Sequence, residues 1–343
     1  MAKKIQVSDD AGANWHTLPG NTGELRTEMA VVNDTIFGQS YESNQPSLGQ
    51  WNVSANGIFK GVAGYSAVLR KGGTPVAMTS EAAALVSGKT YQITAPTKRI
   101  IDYATAVTVQ DGATNRTNEV ESIDYLNGLI TFKSTYTVTG AVTVTGSYVP
   151  TASIAKARSF TLTQNANEID DTDYETARTN NGLRTFDPGL RTVQFEIGGI
   201  YALSNGYKAA LFARDIFYLD VTPDNSTTTM FRAFTKLQNQ SQSGDVGALE
   251  EENVTLGLWV PDGSLVLKPF SWYFGAGTKM NAAIQKVLTA WQNETPIQVR
   301  YLPDGTAGDG GTAIVTECSL ANQLDGQNEF RFNFRGSGAL TAV

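Results

Sequence analysis

One stretch of the sequence resembles a phosphate-binding loop. Ser87-Gly88-Lys89-Thr90 matches the end of the pattern Gly-x-x-x-x-Gly-Lys-Thr, but the first glycine would have to stand where the chain has Ala83. Such a loop also follows a strand, whereas we expect a short helix over Ser80–Val86 that Gly88 ends. The motif is therefore predicted to be a helix end and not a nucleotide site.

Acidic residues form three clusters that are possible ligands or proton carriers. The loop 304–311 holds two carboxylates among glycines, but it lacks the Asp/Asn spacing and the closing Glu of a calcium loop. The pair Asp170-Asp171 and the run 250–252 could supply paired acids for hydrolysis. Because acidic pairs in β-rich chains are usually solvated turn residues, we interpret all three as surface features.

The chain contains one histidine, His16, and one cysteine, Cys318. A Ser-His-Asp triad would have to use His16, which lies in a Gly/Asn/Pro-rich stretch and is predicted to be a loop residue. Cys318 cannot form an intrachain disulfide and is predicted to be a small core residue. We therefore expect no catalytic, cofactor-binding or metal-binding residues, and we predict that the protein is not an enzyme.

Composition narrows the class of protein further. The net charge is −7 and no run of Lys or Arg is longer than Lys3-Lys4, which argues against tight nonspecific DNA binding. An acidic chain can still work beside DNA if it must not adhere to it. No apolar stretch fits a signal peptide or a bilayer span, so we expect a protein made in a cytoplasm, with no membrane partner.

Most of the chain alternates between apolar and polar residues, which is typical of half-buried strands. Phe330–Arg335 is the clearest case, and Thr131–Val149, interrupted by Gly140, is predicted to be a hairpin. One apolar stripe at helical spacing predicts a helix from about Lys279 to Asn293, with Thr278 as a possible N-cap.

An internal repeat is the main observation. Pro46–Leu69 aligns with Pro188–Leu211 at a constant offset of 142, and eight of the 24 positions are identical. Upstream, the offset becomes 137, and Leu25, Asp34 and Thr35 match Leu162, Asp171 and Thr172. Chance sharing of turn residues is the alternative. We prefer a duplicated unit of strand, long loop, strand and Gly-Tyr turn.

The repeat predicts a mainly β fold of two duplicated sheet units with one helix each. The predicted domains are 1–153, with a β-rich insert at about 99–128, and 154–343, with an insert at about 213–275. Small antiparallel sheets leave unpaired groups at their edges, and sheets from several chains can close into one barrel that removes those edges. The hairpin loops Asn33–Pro46 and Asp170–Pro188 are too long for tight turns. If such closed barrels stack as rings, these loops are predicted to reach the adjacent ring.

Several segments resemble siphophage tail tube proteins, the ring-forming proteins of long non-contractile phage tails. The resemblance lies in Thr22–Gly57, in Ser159–Tyr201, and in a closing part made of the helix, Ile297–Gly305, Ala313–Leu320 and Phe330–Gly338. It implies sandwich-like units whose inner sheets close into a multi-chain β-barrel. It also implies stacked rings around a channel for DNA, located in the virion tail.

Most members of that family carry one tube domain and form hexameric rings. Two domains in one chain would give a trimer that imitates a hexamer, with an ordinary hexamer as the alternative. The partners implied are further copies of this chain, the tape measure protein and phage DNA in the lumen, and the tail terminator and distal tail proteins.

Two sets of residues are candidates for such an assembly. An acidic lumen would let DNA slide, so the polar positions of the inner strands are predicted to face it. The lumen candidates are Glu24, Glu28, Glu196, Glu317 and Glu329. Arg26, Arg331 and Arg335 are expected to form interchain pairs instead. The inter-ring loop candidates are Asp34, Phe37, Tyr41, Asp171, Tyr174 and Arg184.

Three other functions remain open from the sequence. A virion decoration or host-adhesion β-sandwich protein would expose aromatic patches and stay a discrete oligomer. A carbohydrate-active enzyme would need an acid pair of defined geometry, which the sequence does not identify. Another tail ring, such as a distal tail or terminator protein, would be present in fewer copies.

Overall fold

The computed structural model describes residues 3–34, 44–59, 66–180, 182–200, 207–223, 229–243, 250–260, 268–275, 277–323 and 328–343. The fold is mainly β and built from antiparallel sheets, as the alternation predicts. The strands of the first half are β1 (Lys4–Ser8), β2 (His16–Thr17), β3 (Gly20–Asn33), β4 (Asn44–Ile58), β5 (Ser66–Gly72), β6 (Val76–Ser87), β7 (Thr90–Ile93), β8 (Thr108–Asp111), β9 (Thr114–Asn115), β10 (Val120–Asp124), β11 (Leu129–Phe132), β12 (Val142–Tyr148) and β13 (Thr151–Lys156).

The described residues of the second half form nine further strands and three helices. The strands are β14 (Ser159–Asp170), β15 (Phe186–Ile200), β16 (Ile216–Thr222), β17 (Thr229–Ser243), β18 (Glu251–Leu258), β19 (Phe270–Phe274), β20 (Ile297–Leu302), β21 (Asp309–Gln323) and β22 (Glu329–Ala342). The helices are α1 (Tyr174–Thr179), α2 (Tyr207–Ala213) and α3 (Ala282–Asn293). The elements belong to two compact units, each discontinuous in sequence. Unit 1 contains Met1–Gly61, Thr161–Gln194 and Met280–Val343, and unit 2 contains Val62–Phe160 and Phe195–Lys279.

The main sheet of unit 1 has the strand order β15–β14–β21–β22–β4–β3, and β20, β1 and β2 continue from the first part of β21. Alternate residues of these strands are buried, with Trp51, Val53, Phe332 and Phe334 among them, so one face forms the core. Helix α3 packs against β21 and β1 with its apolar stripe, and the other face of the strands β3, β4 and β22 is polar.

A close approach at one glycine fixes part of this core. The Trp51 indole is buried and donates a hydrogen bond from Nε1 to the Gly338 carbonyl at 3.0 Å. A Cβ on Gly336 would lie 2.1–2.4 Å from atoms of that ring. Only glycine fits at Gly336 because the indole occupies the space of a side chain.

Unit 2 contains two sheets. One has the order β13–β5–β16–β17–β18, with β19 beside β17, and it packs against helix α2. The other has seven strands in the order β10–β11–β7–β6–β12–β8–β9 and its own core around Ile93, Ile130 and Phe132. This seven-stranded sheet spans 76–148 and so includes the stretch 99–128 that the sequence indicated as an insert.

The predicted hairpin repeat is confirmed by the strand bounds. β4 and β15 begin and end at positions that differ by the same 142 residues, and the ends of β3 and β14 differ by 137. Asn56 lies between Thr22 and Arg331 on its two neighbouring strands. Gly198 takes the place of Asn56 in the second hairpin, and a Cβ there would contact the side chains of Ser159 on β14 and Asn253 on β18.

The repeat also covers a second part of each copy that sequence comparison does not reveal. Helix α3 precedes β20, β21 and β22, and helix α2 precedes β16, β17 and β18. The pairings of β21 and β17 are interrupted by bulges at Val315/Glu317 and at Leu237/Asn239, an offset of 78. Repeat A therefore comprises β3, β4, α3 and β20–β22, and repeat B comprises β14, β15, α2 and β16–β18.

The two helices end alike, which supports this correspondence. The residue after each helix is left-handed, with φ of 57° at Glu294 and 56° at Arg214. The next amides, of Thr295 and Asp215, donate to the carbonyls of Ala290 and Ala210 at 3.0 and 3.1 Å. A shared C-cap geometry at a constant offset of 80 indicates the same helix-to-strand connection.

Several local predictions are wrong. Ser80–Val86 is part of β6, and Thr131–Val149 is not a hairpin, because β11 pairs with β7 and β10 while β12 pairs with β6 and β8. The end of the aligned repeat folds differently in its two copies: 66–69 is strand and 208–211 is helix. Residues 213–275, which the sequence indicated as an insert, hold β16–β18 of repeat B, and the boundary near 153 falls inside β13.

The long helix is confirmed, but its start differs. It begins at Ala282, and the N-cap is Asn281, whose side chain accepts from the Ala283 amide at 2.8 Å. Thr278 lies before it in a turn, where its hydroxyl donates to the Gly275 carbonyl. Asparagine satisfies the first amides of the helix as well as threonine would.

Candidate assembly surface

The polar face of the unit 1 sheet is formed by aligned rows of side chains. One row runs from Glu24 through Ser54 and Asn333 to Glu317, and its members are cross-strand neighbours on β3, β4, β22 and β21. The next row contains Arg26, Asn52 and Arg335. Because the side chains of successive rows point to the same side, four strands present one continuous polar surface.

Arg335 is the most engaged residue on this face. Its guanidinium lies 3.2 Å from Glu168 on β14, donates to the side chain of Gln50 on β4, and lies over the Phe186 ring at 4.2 Å. Only 14% of its side chain is exposed. Arg335 on β22 therefore contacts three other strands, β4, β14 and β15, within one chain.

The other two arginines of the face also have acidic partners inside unit 1. Arg26 pairs with Glu28 at 2.5 Å, and Arg331 lies 3.6 Å from Glu317. Asn333 donates to Glu317 at 2.5 Å. That these arginines also pair between chains stays a prediction, and within one chain each of them has an acidic neighbour.

Two hollows open on this face. One, of about 440 Å³, is lined by Thr22, Asn56, Glu329 and Arg331, and the other, of about 270 Å³, is lined by residues that include Glu24, Glu168 and Arg335. Glu24, Arg26, Glu28, Glu168, Glu317, Glu329, Arg331 and Arg335 are the charged residues of these rows and hollows. Five glutamates against three arginines give the face a net charge of about −2, which disfavours binding of a polyanion.

The predicted lumen residues lie where alternation places them. Glu24, Glu28, Glu317 and Glu329 are brought together on the polar face, and Glu196 lies on β15 in the part that belongs to unit 2. Glu196 alternates with the buried Phe195 and Ile197 and is exposed. That these five residues face a lumen stays a prediction.

The outer edge of unit 1 is the 14-residue strand β3. It pairs with β4 on one side, and within the described parts of the chain no strand pairs with its other side. The strand contains neither proline nor lysine, the usual protection of edges, and most of its residues are exposed. A long unprotected edge of this kind is a template for pairing with another chain.

The loop candidates are only partly described. Phe37 and Tyr41 lie outside the described residues, while Asp34 follows β3 and Asp171 follows β14. Tyr174 begins helix α1, which Asp173 caps, and is 99% exposed. Their contact with another ring stays a prediction.

Arg184 contacts its own sheet, and its contact with another ring stays a prediction. Its amide donates to the Gly49 carbonyl at 2.9 Å, its carbonyl accepts from the Gly338 amide at 3.0 Å, and its guanidinium bonds Asp170 at 2.8 Å. The hydrogen bond from Thr172 and, to a lesser extent, the Arg184 charge lower the pKa of Asp170. The second half of this loop is therefore docked, and only the Tyr174 end projects.

The remaining chemical motifs have structural roles. Ser87 and Thr90 are paired across a two-residue turn in which Gly88 has a φ of 51°, so the motif is a hairpin turn between β6 and β7 and not a helix end. Asp304 accepts from the amides of Thr306 and Ala307, and those bonds lower its pKa. Among the described residues no cluster of three metal-ligating side chains occurs, and no helix is long and apolar enough to span a bilayer.

Cys318 and His16 are the remaining residues that the sequence analysis considered as possible catalytic groups. Cys318 is fully buried, as predicted, and burial raises the pKa of its thiol. His16 lies in the short strand β2 and not in a loop.

Sequence reasoning missed one polar cluster in unit 2. Asp111 accepts hydrogen bonds from the Tyr136 hydroxyl at 2.7 Å and from the amides of Thr139 and Gly140 at 2.8 and 2.5 Å. These bonds, that of the Thr139 amide first, lower the pKa of Asp111. Asp111 thus anchors the segment between β11 and β12, and no spacing in the sequence signals it.

Comparison with known proteins adds little. No protein-family model matches the chain, and no curated protein matches it. Among solved structures, a chain titled as the virion of a native gene transfer agent particle aligns at a TM-score of 0.29 and 16% identity, over 36% of this chain and 88% of that chain. A similarity of this size supports no conclusion about fold or function.

Proposed function

We propose that this protein is the tail tube protein of a long-tailed bacteriophage and forms stacked rings around a channel for DNA. The observation that carries the proposal is strand β3, a long and exposed edge strand without proline or lysine to protect it. One face of its sheet is buried, and the opposite face is the polar face. A free edge of this length favours pairing with a further copy, and head-to-tail pairing forms a ring when the rotation between copies closes.

The polar face supports the channel. Its charged residues are mostly glutamates, and its arginines are held by acidic or amide partners in the same chain. DNA passing such a surface would find few unpaired cations to bind. The proposal assigns the protein no catalytic activity, cofactor or metal, and places it in the virion tail.

The duplicated sheet repeat supports three chains in a ring. Each chain has the two repeats A and B, so three chains would present six repeats around the axis. The further partners we propose are the tape measure protein in the lumen and the terminator and distal tail proteins at the ends.

Electron microscopy and mass measurement of the purified protein test this proposal. We expect rings or tubes, and rings of three 36.8 kDa chains should have a mass of about 110 kDa. Rings of about 220 kDa would replace the trimer with a hexamer. A protein that stays monomeric at high concentration would contradict the ring-forming function.

The seven-stranded sheet at 76–148 favours one alternative, a decoration or host-adhesion protein, because it is a separate β module with its own core. Such a protein would stay a discrete oligomer that does not stack. Another tail ring protein would also form rings, but few copies would be present in each virion.

A further inference from the structure

In repeat A, the central strand β21 has neighbouring strands on both sides. β22 lies along one side of β21, while β20 covers the first part of the other side and β14 covers the rest. β14 is the first strand of repeat B. The second repeat therefore begins by pairing with the central strand of the first.

Among the described strands, none takes the place of that last neighbour in repeat B. β17 corresponds to β21; β18 and β19 lie along one side of it, and β16 pairs with Phe231–Lys236 on the other. Beyond that point, along Leu237–Ser243, no described strand pairs with the β16 side. Gln238, Asn239 and the three residues after Gln240 are exposed.

The strand that corresponds to β14 is β3, the unpaired edge of repeat A. Both strands are long, and they have the same position in their repeats. Within each chain, β14 pairs with β21. The strands that correspond to this pair are β3 and β17, and each of them has a side with no described partner.

Burial of side chains indicates the same partner independently. On β14, Leu162 and Ala166 are buried, and Ala166 lines a small cavity with Ala290 and Trp291 of α3. The position on β3 that corresponds to Ala166 is Met29, which is 56% exposed. The face that α3 covers in one repeat is uncovered in the other.

The helix of repeat B carries a matching exposed apolar residue. α2 corresponds to α3 at the offset of 80, so Leu211 and Phe212 take the places of Trp291 and Gln292. Phe212 is 76% exposed, which is unusual for a phenylalanine unless a partner covers it. A second copy placed as β14 is placed on β21 would bring Met29 to this end of α2.

We propose that β3 of one copy pairs with the free side of Leu237–Ser243 on β17 of a second copy, as β14 pairs with β21 within each chain, and that Phe212 packs over Met29 across this contact. The contact uses different surfaces on the two copies, so it can repeat from copy to copy, and it makes a ring when the rotation closes. This inference rests on the proposed ring-forming function and names the contact that makes the ring.

Cysteine cross-linking between separately prepared variants tests the pairing. Thr27→Cys on β3 is mixed with Asn239→Cys, Gln240→Cys or Ser241→Cys on β17, and the mixtures are oxidised with diamide. The native Cys318 is a suitable background because it is fully buried. We expect a covalent dimer in at least one of these mixtures, because directly opposite residues of paired strands place their Cβ atoms within disulfide reach.

Two controls identify other edge contacts. Thr27→Cys alone should give no dimer, since a homodimer would mean that β3 pairs with itself. Thr27→Cys mixed with Ala152→Cys, on the edge strand β13, should also give none. A dimer in either control, without one in the β17 mixtures, overturns the proposed pairing.

The mass of the assembly separates this inference from the function on which it rests. If rings form but β3 and β17 do not cross-link, the pairing is wrong and the ring-forming function stands. If neither rings nor the cross-link form, both are wrong.

A substitution at the apolar contact gives a second readout. Phe212→Ser should raise the concentration needed for ring assembly about tenfold or more, the size expected for a buried aromatic anchor. Leu85→Ser, at another exposed apolar residue in unit 2, is the matched control and should leave assembly unchanged. Equal behaviour of the two variants would overturn the role of Phe212.

Discussion

Arg335 and Arg331 differ sharply in how much they should contribute to stability, although both lie on the same face of β22. The Arg335 guanidinium contacts Glu168, Gln50 and the Phe186 ring. A partly exposed ion pair contributes up to about 1 kcal/mol, a hydrogen bond from a charged donor about 1.5 kcal/mol, and a cation–π contact about 1 kcal/mol. Arg335→Ala should therefore lower the free energy of unfolding by about 2–4 kcal/mol.

Arg331 is the matched control. Its side chain is 61% exposed and its acidic partner lies 3.6 Å away, so Arg331→Ala should cost about 0.5 kcal/mol or less. Urea unfolding followed by near-ultraviolet circular dichroism measures both changes. Arg335→Lys keeps the charge but not the planar group, and it should recover less than half of the loss.

Two outcomes would refute this reasoning. Equal losses for Arg335→Ala and Arg331→Ala would mean that the contacts of Arg335 do not stabilise the sheet. Full stability in Arg335→Lys would mean that only the charge matters and that the stacking over Phe186 contributes nothing.

Two further predictions concern the cores of the two units. Gly336→Ala should lower the free energy of unfolding by about 3 kcal/mol or more, because its Cβ would overlap the Trp51 ring. Gly146→Ala is the control and should lower it far less, since its Cβ would lie 3.5 Å or more from its neighbours. Thermal unfolding compares the two variants. Asp111 has a folded-state pKa below the unfolded value of about 3.9, so its contribution is present above that pH and is lost as pH falls through the folded pKa. Asp111→Asn should destabilise the protein at pH 7, and it should lose less stability than the unchanged protein when the pH falls below about 4. Unfolding curves measured from pH 7 to pH 3 test both effects. An unchanged pH profile would contradict the role of Asp111.

The parts of the fold that the sequence predicts are those in which local pattern and tertiary pairing agree. The strand at Phe330–Arg335 alternates without interruption, and its aromatic residues are buried while its polar residues are not. The hairpin repeat is readable because equivalent strands need equivalent turn and core residues. The polar face follows from the same alternation, since one side of a half-buried strand must remain polar.

The parts that the sequence does not predict depend on distant partners. Ser80–Val86 has helix-forming residues but is a strand, because β7 and β12 supply backbone partners on both sides. The segment after β11 is held by Asp111, which lies far away in sequence. Helix α2 corresponds to α3 in its cap and its connection to the next strand, but almost no sequence identity accompanies that geometry.

The arrangement of the repeats explains why an exposed edge persists in this chain. Repeat B is continuous from 159 to 258, whereas repeat A is divided between the N-terminal hairpin and the strands after α3. One of the two corresponding contacts between repeats is made within the chain, by β14 and β21, and the other is the contact that we propose between β3 and β17 of different copies. Among the described strands, the two sides of that second contact therefore have no partner, namely the free side of β3 and the β16 side of Leu237–Ser243 on β17. In the proposed ring, β3 and β17 of different copies supply this pairing, and the polar face is not needed for it. If the ring forms in this way, the glutamates and internally paired arginines of the polar face have no role in holding copies together, which suits the proposed surface that does not retain DNA.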